Sequence, residues 1–503
     1  MDLRNFFRSS ERSCLAAYAK AQVHLYRHDC SLQDYFQPLQ QHFGRRCLAR
    51  AVPSSISKQV LSSIQTGAYE VVRHTARRKY KADVLYCPTP YYSRLAENNF
   101  SVRTVMALAQ TDATVLCLLP GIAPFRAELE SRLEATGRSS QVTLLDPLAT
   151  LNPIANRLRT RVARDRGRSA FAEIKQVLQP LEIGPPQDSL VDYENIAQFV
   201  EAWRSLEHFI EFDAVVARCH WLGLCSPVCR TALERGKPVI TFQQGVIDHT
   251  LDVPVSASHY VAFGNSSATL LARMNQLFFQ AVGKDEPPVT FVPGGSLFDT
   301  ILDLPNQFAN SAILVIDGPD SNGFYGLDVQ RRGVVPLVSK ILRSRMPLRK
   351  VVLRPHPSST IQELEPWMQL AQENPDTCEL SHSAWSLEDD LRRASIVLGN
   401  YSGVLTVAAA SGIPTIFLEI DCYATNDLAC FRSGQTFASE DAFREIKRML
   451  TDADAYAEAR QVALRNAREY YADGANLKLV AAFFERMLSL KHKSNSSPRV
   501  VNI

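Results

Sequence analysis

Apolar positions recur at helical spacing through Leu15, Tyr18, Val23 and Tyr26, and again through Val60, Ile64, Tyr69 and Val72, which predicts an amino-terminal helical segment over residues 1–80. From Ala82 the pattern changes to short apolar runs that end in turn residues. Val84-Leu85-Tyr86 leads to Pro88, Ala113 to Leu119 leads to Pro120-Gly121, and Val142 to Leu145 leads to Asp146-Pro147. Ala214 to Ala217, Pro238 to Phe242, Tyr260 to Phe263 and Val289 to Val292 continue the series. These runs do not alternate with polar residues and are separated by helical segments, as in parallel strands covered on both faces.

A second series begins near Ser311, with strands expected at Ile313–Ile316, Lys350–Leu353, Ile396–Leu398 and Thr415–Leu418. Helices are expected between them at Leu327–Arg343, Ile361–Glu373 and Val404–Ala410, and Asp303 to Gln307 reads as the connector. The expected fold class is therefore α/β: two Rossmann-like doubly wound domains facing a cleft, over residues 81–305 and 306–490, after the helical segment. The last residues, 491–503, rich in serine and asparagine, read as a disordered tail.

Composition narrows the class. At 503 residues the chain is too long for one ordinary core, and 46% hydrophobic content excludes a mostly disordered chain. A net charge of +3 gives no global argument for nucleic-acid binding. No apolar run of membrane-spanning length is present, and Met1 to Arg8 lacks a signal-peptide core, so a cytoplasmic location is expected. Eleven cysteines fit that compartment as free thiols. Cys219, Cys225 and Cys229 beside His220 lack paired C-x-x-C spacing and read as buried small hydrophobes, with no metal expected.

Four loops at expected strand ends carry the candidate chemistry. Asp317 to Gly323, including Gly318, sits at the first turn of the second domain, where backbone N–H groups can hold an anion; it is not G-x-G-x-x-G. Arg354-Pro355-His356-Pro357 follows another strand. The prolines restrict the backbone around His356, whose imidazole can donate to a phosphate or take a proton, and Arg354 supplies a fork of donors. Gly399 to Gly403 opens a helix with Ser402 as a natural N-cap, leaving N–H groups for a second phosphate contact. In the first domain, Gln243-Gln244-Gly245 runs on to Asp248 and His249, the candidates for a general base. Ordinary polar loops and simple helix capping are the competing readings of these segments.

Together, Arg354 to Pro357, then Ser402-Gly403, then Gly412-Ile413-Pro414 resemble the nucleotide-binding lobe of GT-B glycosyltransferases. Capsule Kdo transferases, bacterial polysialyltransferases and CDP-glycerol glycerophosphotransferases are the nearest in pattern. Val292 to Asp299 is similar to the segment that leads such enzymes into their second lobe, and the resemblance spans roughly Asp213 to Ala472. It implies an acceptor domain followed by a donor domain, a CMP- or CDP-linked sugar as co-substrate, no further cofactor, and a glycan or glycolipid acceptor. It also implies donor contacts from Arg354, His356, Pro357, Gly318, Ser402 and Gly403, with Gln244 and Gly245 on the acceptor side. Two positions depart from the family pattern. Gln244 stands where relatives often carry a histidine, and an amide cannot accept a proton at neutral pH. Val407 stands where many carry a ribose-binding glutamate, a role for which Glu419 is the substitute at hand.

Taken as an enzyme, the chain is expected to perform direct displacement with inversion. His356, Arg354 and loop N–H groups would stabilise the departing nucleotide without a metal, and Asp248 or His249 would deprotonate the acceptor. Six arginines from Arg157 to Arg168 sit on a basic amphipathic helix, read either as a contact for anionic lipid at the inner membrane or anionic glycan, or as a solvated face. The rival readings are a UDP-sugar transferase, a 2-epimerase of the same architecture, and a catalytically silent nucleotide-sugar binder.

Overall fold

The computed structural model describes residues 14–36, 79–88, 95–119, 126–147, 153–181, 190–221, 224–243, 253–296, 301–316, 327–344, 346–355, 361–381, 386–399, 402–418, 435–437, 439–471 and 484–486. The first part holds α1 (Cys14–His28), β1 (Tyr80–Cys87), α2 (Leu95–Ala109), β2 (Val115–Leu118), α3 (Arg126–Ala135), β3 (Val142–Leu145), α4 (Pro153–Leu178) and α5 (Leu190–Leu206). It continues through β4 (Ile210–Ala217), α6 (Cys225–Glu234), β5 (Val239–Phe242), β6 (His259–Ala262), α7 (Asn265–Val282) and β7 (Thr290–Pro293). The second holds β8 (Ala312–Ile316), α8 (Leu327–Arg343), β9 (Lys350–Arg354), α9 (Ile361–Glu373), β10 (Cys378–Leu380), α10 (Leu387–Arg393) and β11 (Ile396–Gly399). It closes with α11 (Gly403–Ala410), β12 (Thr415–Leu418), β13 (Gln435–Phe437), α12 (Ser439–Thr451) and α13 (Ala453–Tyr470).

The strands form two sheets, ordered β3-β2-β1-β4-β5-β6-β7 and β10-β9-β8-β11-β12-β13. Every described pairing is parallel. The side chains explain the unalternating runs. On β1, Leu85 enters one core layer while Val84 and Tyr86 enter the layer on the opposite face. On β8, Ile313 and Val315 face one layer, Leu314 and Ile316 the other. Both faces are buried over Val84–Cys87 and throughout β8, so those positions select apolar residues. Each order reverses once, between β1 and β4 and between β8 and β11. Ligands of such sheets bind beyond the strand carboxyl ends at these points.

The amino-terminal helix belongs to the packing of the first sheet. Tyr26 of α1 meets Phe278 and Phe279 of α7 edge-on, with centroids 5.5 and 5.6 Å apart. Arg27 Nε donates to Val282 O at 3.1 Å, placing a cation at the carboxyl end of α7. The expected helical stretch around Val60 to Val72 lies outside the described residues, as does the tail from residue 491.

The basic run on α4 is partly paired within the first domain, while Arg161, Arg164 and Arg168 remain exposed. Arg164 and Arg168 pair with Glu194 of α5 at 3.3 and 2.8 Å. Arg166 and Arg204 share Glu201, whose side chain is fully buried. Arg159 is buried and donates to Pro147 O at 3.2 Å. Arg161 stays exposed, and the side chain of Arg157 lies outside the described residues. Arg164, Arg166 and Arg168 therefore join α4 to α5. No helix among the described residues is long and apolar enough to cross a membrane.

The cysteine group is core material. Cys87, Cys219, Cys225 and Cys229 are buried free thiols, and Cys225 Sγ donates to Cys87 O at 3.3 Å. Burial pushes the Cys87, Cys219 and Cys225 thiols above their ordinary range, which keeps them protonated. His220 is buried too, its Nδ1 accepting the Ser256 N–H at 3.3 Å.

At the amino ends of β5 and β6 lies a cavity of about 600 Å³, whose walls include Tyr26, Phe279, Pro238, Pro254 and His259. It is at the opposite end of the sheet from the loops of interest. Burial lowers the His259 imidazole below its ordinary 6.5. Such a group adds stability fully present above 6.5 and lost as pH falls through its lowered value. The urea midpoint should accordingly fall between pH 7.5 and pH 5.5, and His259→Gln should reduce that fall; an unchanged pH dependence in the variant would refute the assignment.

Candidate functional site

In the second sheet the reversal point is built by β8 and β11. Their following loops hold Gly318 and Ser402, and residues 317–326, 400 and 401 lie outside the described residues. Ser402 has extended backbone, φ −158° and ψ 137°, and its hydroxyl accepts the Val404 N–H at 3.3 Å. It is the N-cap expected from sequence, and α11 starts beside it at Gly403. The helix stops where Gly412 adopts φ 77°, with Ile413 N bonded to Ala408 O and Gly412 N to Ala409 O, both at 3.0 Å. That double bond pattern needs a left-handed residue, which glycine supplies without strain.

Val407 is buried in the layer formed by Phe263, Leu405, Tyr470 and Tyr471. A glutamate there would be an uncompensated buried charge, so on this chain the position serves packing.

Arg354, the last residue of β9, is engaged inside its own domain. Its Nη1 binds the carboxylate of Asp390, whose side chain is fully buried, and reaches Ser381 Oγ at 3.3 Å and Ser386 O at 3.4 Å. Ser381 Oγ donates to the same Asp390 oxygen at 2.6 Å. The guanidinium thus ties the ends of β9 and β10 to the start of α10, where Ser386 and Asp389 form a capping box. Hydrogen bonds from Ser386 hold the Asp389 carboxyl below its usual range. The fork of donors expected to face a phosphate is spent, at Nη1, on a buried carboxylate. His356 and Pro357 follow directly, outside the described residues, as do Gln244, Gly245, Asp248, His249 and Glu419.

On the first domain, Gln243 leaves β5 as a buried residue. Its Oε1 accepts the Phe263 N–H at 2.7 Å and its Nε2 donates to Tyr470 Oη at 3.2 Å. At the reversal point of this sheet, Arg218 follows β4, is buried, and donates its N–H to Cys87 O at 3.0 Å. Its signal in the sequence is a guanidinium closing an apolar strand.

The two sets of loops meet at the end of α13. Phe263, just past β6, stacks on Tyr471 at 5.4 Å and 20° and meets Tyr470 edge-on at 5.9 Å. Tyr471 Oη bonds to Thr406 Oγ1 of α11 at 2.8 Å. Gly264 lies so close to α13 that a Cβ there would stand 2.6 Å from Tyr470 C and 2.9 Å from Glu469 O. Only glycine permits this approach.

No family model matches the sequence, and no curated protein matches it. Solved structures resemble it in the course of the chain. An α,α-trehalose 6-phosphate synthase from Burkholderia multivorans is 11% identical, covering 84% of this chain and 100% of its own, with TM-score 0.48. HepE from Anabaena in complex with UDP-glucose is 10% identical, covering 82% and 100%, with TM-score 0.44. MnaA from S. aureus with UDP is 14% identical, covering 82% and 96%, with TM-score 0.44. The fold assignment, two doubly wound parallel α/β domains, rests on the strand order of the chain itself.

Proposed function

We propose that the chain is an inverting, metal-independent, nucleotide-sugar-dependent glycosyltransferase of bacterial surface-polysaccharide assembly, with a CMP- or CDP-linked donor. The observation that carries the reading is the N-terminus of α11, capped by Ser402 and following β11 at the reversal point of the second sheet. In this reading an anionic leaving group is stabilised there by the helix dipole and the Gly403 N–H, the Val404 and Leu405 N–H groups being taken by Ser402. The loop at Gly318 follows the other strand of that point, and the loop carrying His356 and Pro357 follows the neighbouring strand β9.

In this mechanism the bond between the sugar and the donor phosphate breaks as the acceptor oxygen attacks from the opposite side. The nucleotide departs with its electron pair and is held by the Gly403 N–H and by His356, donors whose worth rises as charge develops. Asp248 or His249 takes the acceptor proton, since Gln244 cannot. Arg354 contributes by holding the end of β9, from which the His356 loop departs. The acceptor, a glycan or glycolipid, is assigned to the first domain beside Gly245, and Glu419, just past β12, is the candidate ribose contact.

Calorimetric titration with CMP, CDP, UDP and GDP tests the reading. CMP or CDP should bind most tightly, and His356→Ala should weaken that binding roughly tenfold to a hundredfold, the range for a hydrogen bond to a charged group. Indifference to all four nucleotides would sink the proposal. Preference for UDP would move the donor class, and binding without turnover for any offered acceptor would select the silent binder.

A further inference from the structure

The carboxyl end of α13 touches the candidate loops of both domains through two consecutive side chains. Tyr470 Oη receives the Gln243 Nε2–H at 3.2 Å, at the root of the loop leading to Gln244, Gly245, Asp248 and His249. Tyr471 Oη is 2.8 Å from Thr406 Oγ1. Thr406 donates its single hydroxyl hydrogen to Gly403 O at 2.7 Å, so Tyr471 is the donor in the shared bond. Gly403 is the first residue of α11, beside Ser402. A continuous chain therefore runs Gln243–Tyr470–Tyr471–Thr406–Gly403 from one domain to the other.

The chain is buried and laterally fixed. Gln243, Phe263, Thr406, Tyr470 and Tyr471 are all at or below 3% exposure. The two tyrosine rings are perpendicular at 5.0 Å, and Phe263 contacts both. Phe263 is also bonded back to Gln243 through its own N–H, at 2.7 Å. Buried side chains in staggered wells hold discrete positions, so a displacement of one member must be met by the next.

We propose that Tyr470 and Tyr471 are positioning residues that hold the acceptor-side loop root and the first turn of α11 in a fixed mutual register, so that occupancy of one is felt at the other. The part concerning occupancy rests on the donor reading above; the register itself does not. Coupling of this kind is reciprocal; it would travel through hydrogen bonds at either end and, between the two tyrosines, through adjacent backbone and an edge-on ring contact.

The test uses the full-length chain with Tyr470→Phe, Tyr471→Phe and Thr406→Val, which keep most of the packing volume, and with CMP as the probe. Hydrogen exchange should quicken at the Val404 and Leu405 amides in Tyr471→Phe and at the Phe263 amide in Tyr470→Phe. Tyr471→Phe should weaken CMP binding roughly twofold to tenfold, the loss of one ordinary hydrogen bond. Thr406→Val added to it should cost little more, because both changes remove one interaction. CMP should slow exchange at Phe263 in the wild type but not in Tyr470→Phe. Additive effects of Tyr471→Phe and Thr406→Val, with exchange at Phe263 unchanged in every variant, would overturn the proposal even if CMP binds well. Failure of the wild type to bind CMP or CDP would instead overturn the donor reading, while ligand-free exchange still judges the register.

Discussion

Gly264→Ala should lower the stability of the chain by about 3 kcal/mol or more, the upper part of the range for forced overpacking. The added methyl would meet Tyr470 and Glu469 backbone atoms at 2.6 to 2.9 Å and, closer still, the Tyr470 carbonyl oxygen. Main-chain atoms of a helix cannot rotate aside as the tip of a lysine can. Relief requires α13 to withdraw from β6, which breaks the Phe263 contacts with Tyr470 and Tyr471 as well. Thermal unfolding should therefore begin at a lower temperature, and Gln243 should lose its hydroxyl partner. A melting curve within a degree of the wild type would show that the join is looser than described.

The second large effect is expected at Arg354. Its removal strands the Asp390 carboxylate, whose side chain has no exposure, in a site with Ser381 as its remaining described donor. Breaking one half of a buried pair costs about 3–5 kcal/mol; with the arginine side chain 25% exposed, the lower end applies. For a domain of this size each kcal/mol moves the midpoint by roughly 2–4 °C, so Arg354→Ala should unfold about 6–12 °C early. Arg354→Ala combined with Asp390→Ala should recover much of that loss, because no stranded charge remains. If the arginine instead acted mainly on a ligand, the single variant would melt normally and the double would offer no recovery. Scanning calorimetry without nucleotide decides between the two.

These cases show what the sequence carries and what it withholds. The central strands were legible because burial on both faces favours apolar residues, as in β8, and the bounds of β3 and β12 coincide with the expected runs. β10 and β13 were missed: at three residues each, Cys378-Glu379-Leu380 and Gln435-Thr436-Phe437 are too short and mixed to show a period. The helix stop at Gly412 was readable because a single backbone angle demands it. The pairing of Arg354 with Asp390 was not, since that partner lies thirty-six residues downstream. The partners of the α4 arginines were hidden for the same reason. The periodicity of the arginines was real, but Glu194 and Glu201 meet them from another helix. Conversely, Val407 looked like a missing catalytic feature and is a packing residue.

Phe484 is fully buried in the core layer of β1, β2 and β5, with its ring edge-on to Phe242 at 6.1 Å. The polypeptide thus supplies a piece of its first sheet only after the strands of the second sheet have been laid down. On the ribosome, the first domain must wait unfinished, one apolar patch uncovered, until the stretch carrying Phe484 has left the exit tunnel. Shortened chains that stop after α13 would then be prone to clump during synthesis, even though every strand is in place.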